Sequence, residues 1–65
     1  MAKLRTDPNL TDPDGFYEAL ITAQEGLSPE GNQQMKARLI LLLANHIGDD
    51  AVLREAIALA RKAID

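Results

Sequence analysis

The residues of this chain with any claim to chemistry are one histidine, two adjacent aspartates and a lone tyrosine. His46 precedes Asp49 and Asp50 by three and four positions, and an imidazole beside a carboxylate is the start of a general-base pair. A working site also needs a nucleophile or an orienting group within hydrogen-bond reach. The sequence offers none at a suitable spacing, and both aspartates stand where a helix start needs a cap. His46 itself falls in the last turn of the preceding helix, where the dipole favours partial positive charge. It reads as a residue at the edge of a core, not as a catalytic base.

The absent motifs point the same way. There is no glycine-rich phosphate loop, no paired-histidine metal motif and no Gly-x-Ser-x-Gly elbow. An Asp-Ser-Leu attachment site for a carrier arm is missing too. With no cysteine and one histidine, neither a disulfide nor a protein-only zinc cage is available. The expectation is a non-enzymatic protein with no catalytic residue, cofactor or metal.

Polar and aromatic side chains can instead recognise a partner. Arg38 and Asn45, with Gln34 beside them, form a polar strip suited either to a partner's backbone or carboxylates or to plain solvation. Phe16 and Tyr17 are the entire aromatic content. Phe16 is placed for the core, which leaves Tyr17, with its apolar ring and polar tip, as an interface anchor.

Three helices must position these groups. Asp12-Pro-Asp starts the first with a cap, a proline at the first helical position and an acid on the dipole. It runs over about 13–25 and stops at Gly26. Ser28-Pro-Glu repeats that grammar and opens a second helix over about 29–47, ended by Gly48. Asp49 or Asp50 then caps a third over about 51–64. No segment alternates as a strand would, and the junctions are short enough to force antiparallel or steeply crossed neighbours. Residues 1–11, with Thr6-Asp-Pro and Thr11-Asp-Pro, read as an extended or disordered arm. The expected fold is all-α: an arm, then a three-helix bundle in one domain, 12–65.

Helix 2 carries the main anomaly. Around Arg38-Leu-Ile-Leu-Leu-Leu-Ala-Asn-His-Ile-Gly48 the apolar arc spans roughly 260° of the helical wheel, against a stripe of ~100° or somewhat more on an ordinary surface helix. Helices 1 and 3 can cover adjacent sides of it, leaving Leu41, or the Ile40–Ala44 side, over. One reading wedges helix 2 between its neighbours; the other meets the surplus with a partner. Each leucine left in water forgoes ~1.5–3 kcal/mol, a large share of the stability of so small a domain, and this favours the partner. Tyr17 and Ile21 on the flank of helix 1, and Arg38, Ile40, Leu41, Ala44, Asn45 and His46 on helix 2, form the expected protein interface. The partner is another protein or a second copy of this chain.

Charge narrows the partner further. The formal net charge is −3, and Asp7, Asp12, Asp14, Glu18, Glu25 and Glu30 follow one another with no base among them. An acidic first half repels nucleic acid and anionic lipid. Lys3 and Arg5 precede no apolar run, which argues against a signal peptide. Leu39–Ala44 is far shorter than the ~20 residues a membrane span needs. A cytoplasmic protein that binds neither nucleic acid nor membrane is the expectation.

Asp12-Pro-Asp-Gly-Phe-Tyr-Glu-Ala-Leu, Gly26-Leu-Ser and Ala37-Arg-Leu-Ile-Leu-Leu-Leu-Ala-Asn-His-Ile-Gly-Asp49 resemble a bacterial family of very short proteins that carries a domain-of-unknown-function label. The resemblance covers nearly everything beyond the arm and makes Phe16, Tyr17, Arg38, Asn45, His46 and Asp49 its characteristic positions. Gln24 and Lys36 stand where the pattern leads one to look for histidine and asparagine. The resemblance lends no activity. Its members' genome neighbourhood implies an accessory subunit of a flavin-dependent aromatic-ring monooxygenase, with a self-associating structural protein as the alternative.

Overall fold

The computed structural model describes residues 3–64; the first two residues of the arm and Asp65, the last of the expected domain, lie outside them. Within that span the chain forms α1 (Pro13–Gln24), α2 (Pro29–Ile47) and α3 (Asp50–Lys62), with no strand among the described residues.

Each helix starts on a side-chain cap of the same kind. The N–H of Gly15 donates to Asp12 Oδ1 at 3.0 Å, that of Gly31 to Ser28 Oγ at 3.1 Å, and that of Val52 to Asp49 Oδ1 at 3.1 Å. Each bond satisfies one of the backbone donors that a helix start leaves unpaired. Pro13 and Pro29 occupy the first helical positions, where their missing N–H costs nothing. Gly15 makes room for the first cap: a Cβ there would run into the Asp12 carboxylate.

The ends are equally local. Gly26 and Gly48 take the left-handed conformation, φ 80° and 74°, which glycine adopts without steric cost. The Gly48 N–H closes α2 by donating to the Ala44 carbonyl at 2.8 Å. α1 ends one residue short of the expected boundary, because Glu25 is already extended. α3 spans 50–62 where 51–64 was expected: Asp49 is the cap, so Asp50 is helical, and past Lys62 the chain leaves the helix in a turn. From Lys3 to Thr11 the chain forms neither helix nor strand, bends at Asp7 and Thr11 and is exposed apart from half-buried Leu4; its Arg5 pairs with Asp7 at 3.0 Å.

The helices themselves are as expected, but one chain does not close them into a bundle. No two of them pack along their lengths. The radius of gyration is 13.5 Å, against about 10.7 Å for a compact domain of this length. The exposed surface is 6066 Å², whereas a folded monomer of this mass exposes about 4,100 Å². Val52, at the start of α3, is the one buried apolar residue among those described; Leu20, Met35, Leu39, Leu53 and Ala56 are half-buried. The junctions explain this: Gly26–Ser28 and Gly48–Asp49 turn the chain between capped helices, and no hydrogen bond among the described residues joins one helix to another.

Candidate functional site

Two apolar surfaces stand open on this framework. The first is a groove of about 340 Å³ between α1 and α2. Phe16, Ala19, Leu20 and Ala23 line one wall, and Met35, Leu39 and Leu42 the other, with Arg38 at the rim. Helical geometry puts each set on one stripe of its helix. The two stripes face each other, yet Phe16, which the sequence places for the core, is 47% exposed and Leu42 69%.

The second surface is a hollow of about 540 Å³ further round α2, lined by Arg38, Leu41, Leu42 and Asn45. The spacing, three or four residues and then seven, stacks these side chains on one edge of the helix. Leu41, at 69% exposed, stands between the guanidinium of Arg38 and the amide of Asn45. An apolar centre with a polar rim is the composition of a protein-binding patch.

The expected interface residues thus divide among separate places. Arg38, Leu41 and Asn45 come together in the hollow. Ile40 and Ala44 lie further round α2, away from the groove; Ile40 is exposed and Ala44 partly covered. Tyr17 and Ile21 are exposed on the flank of α1 and line neither cavity. His46 is exposed in the last turn of α2.

The carboxylates nearest His46 in sequence are both engaged elsewhere. Asp49 caps α3, and Asp50 Oδ2 accepts from Arg54 Nε at 2.7 Å. That hydrogen bond, helped by the Asp50 charge, holds the Arg54 guanidinium above its ordinary pKa. Among the described residues no three of His, Cys, Asp or Glu gather as metal ligands do.

The groove is what sequence reasoning missed. A stripe that fills a core and a stripe that meets a partner have the same composition and the same period, so no local signal separates them. The one available signal was global: too little chain for so much apolar surface.

A family model described as "Protein of unknown function (DUF2783)" matches residues 4–62 of the chain. No curated protein matches it, and no solved structure does.

Proposed function

The chain belongs to the DUF2783 family, and from that premise we propose that it is a non-enzymatic protein-binding module. Its docking side is the outer face of α2, with Leu41 at the centre, Ile40 and Ala44 beside it, and Arg38 and Asn45 on the rim. The observation that carries the reading is Leu41 itself, 69% exposed in a hollow whose polar edge can satisfy a partner's backbone. The acidic α1, with Asp14 and Glu18 and no base, suits a basic surface on that partner. The resemblance set out above makes a flavin-dependent aromatic-ring monooxygenase the partner to try first, with this chain as its accessory subunit. The cytoplasm is the compartment in which that encounter is expected.

Co-expression with such a monooxygenase, followed by size-exclusion chromatography, tests the assignment. The native chain co-elutes, and Leu41→Asp does not, because docking would bury a charge in place of an alkyl group. Because Leu41 is exposed in the single chain, the variant keeps its helical circular dichroism. Equal co-elution of both chains would show the docking side to be wrongly placed.

A further inference from the structure

The groove between α1 and α2 has an occupant that the chain itself supplies, though not to itself. We infer that it receives α3 of a second copy, so that two chains exchange their third helices and each completes the other's core. This shares with the reading above the premise that the chain works in association, and the two surfaces meet at Arg38 and Leu42; Leu41 and Asn45 line only the docking face, and Phe16, Ala19, Leu20, Ala23, Met35 and Leu39 only the groove.

Three observations support the exchange. The first is fit. α3 carries the most one-sided apolar face of the three helices, with Leu53, Ala56 and Ala60 along its middle. At 13 residues it is about 20 Å long, against about 18 Å for the 12 residues of α1. Alanines on that face allow close approach to a groove whose own wall includes Ala19 and Ala23. The second is charge. α1 holds acids and no base, whereas in α3 Arg54, Arg61 and Lys62 outnumber Asp50 and Glu55; helical spacing puts these charges away from the apolar stripes, so the attraction is a long-range one between whole helices.

The third is area and connectivity. The chain exposes roughly 2,000 Å² more than a closed monomer of its mass, the arm holding a share of that excess. Two copies together reach the 2,000–5,000 Å² range of obligate homodimers. The chain's own α3 follows α2 after only Gly48 and Asp49, one in the left-handed conformation and the other engaged as a cap. It leaves the groove open and its own Ile57 68% exposed. A two-residue hinge gives α3 little slack to fold back along its own chain, a connection that favours exchange with a neighbour.

The chain has no cysteine, so single cysteines report the arrangement without background. Ala19 lies at the middle of α1 and Ala56 at the middle of α3, so the pair meets whichever way the helices run. Chains carrying Ala19→Cys and Ala56→Cys are mixed in urea, refolded together and oxidised. The exchange predicts a disulfide-linked pair of one chain of each kind, several-fold above the homodimers of either. It also predicts that the doubly substituted chain runs as a covalent dimer on a non-reducing gel. A double variant that closes its disulfide within one chain, at monomer mass, would overturn the inference, as would cross-linking no better than random. Leu41→Asp placed in these variants leaves the cross-link intact, which keeps this outcome separate from that of the docking face.

Discussion

A tenfold increase in protein concentration raises the melting temperature by about 5 °C if the chain completes its core with a second copy. Unfolding then turns one dimer into two chains, and each tenfold in concentration is worth about 1.4 kcal/mol per dimer. Unfolding entropy is about 2.1 cal/mol/K per residue near 60 °C. Over two chains of 65 residues that amounts to about 0.27 kcal/mol/K, and dividing one figure by the other gives the shift. Between about 2 µM and about 200 µM the midpoint therefore climbs by about 10 °C. Circular dichroism at 222 nm in cells of different path length follows it directly. The exposed area of 6066 Å² motivates the prediction but does not set its size, because buried area is not affinity. A midpoint constant to within about 1 °C across that range would refute self-association and leave the surplus apolar surface to a different protein.

Two further outcomes follow from local contacts. Asp49→Ala deletes the acceptor for the Val52 N–H and costs about 1 kcal/mol of α3 stability, whereas Asp49→Asn retains most of it; urea titration of helicity checks both, and an undiminished alanine variant would remove the cap from the account. In the arm, the hydrogen bond from Arg5, followed by one from the backbone of Asp7, holds the Asp7 carboxyl below its ordinary pKa. A depressed carboxyl pKa favours the paired form above the ordinary value and loses that preference as the pH falls through the depressed one. Arg5→Gln therefore moves the Asp7 midpoint upward, read by carbon NMR, and an unmoved midpoint would show that the guanidinium does not act on it.

The helices were legible in the sequence because everything that delimits them is local. Asp12, Ser28 and Asp49 each cap a donor three residues on, and the reach of a side chain fixes that distance in advance. Gly26 and Gly48 mark stops for an equally short-range reason. Where the boundaries moved, at Glu25 and beyond Lys62, the last turn was the part in question, and such turns fray. Packing was not legible. A helical wheel shows that Phe16, Leu20, Leu39 and Leu42 form apolar stripes, but not whose atoms will cover them. The width of the apolar arc led to the expectation that Leu41 is left uncovered, and it is exposed; the open groove was not expected, because its walls have the composition of an ordinary core.

Among the described residues no hydrogen bond joins one helix to another, and this has a consequence for recognition. The helices are joined by junctions at Gly26 and Gly48 and pack little against one another, so a partner that changed their angles would break no hydrogen bond between them. On the proposed docking reading, the molecule would meet its target as three ready-made rods whose mutual pose is set by the contact. Such adaptability widens the range of shapes it can clasp and weakens each grip by the entropy surrendered when the pose becomes fixed.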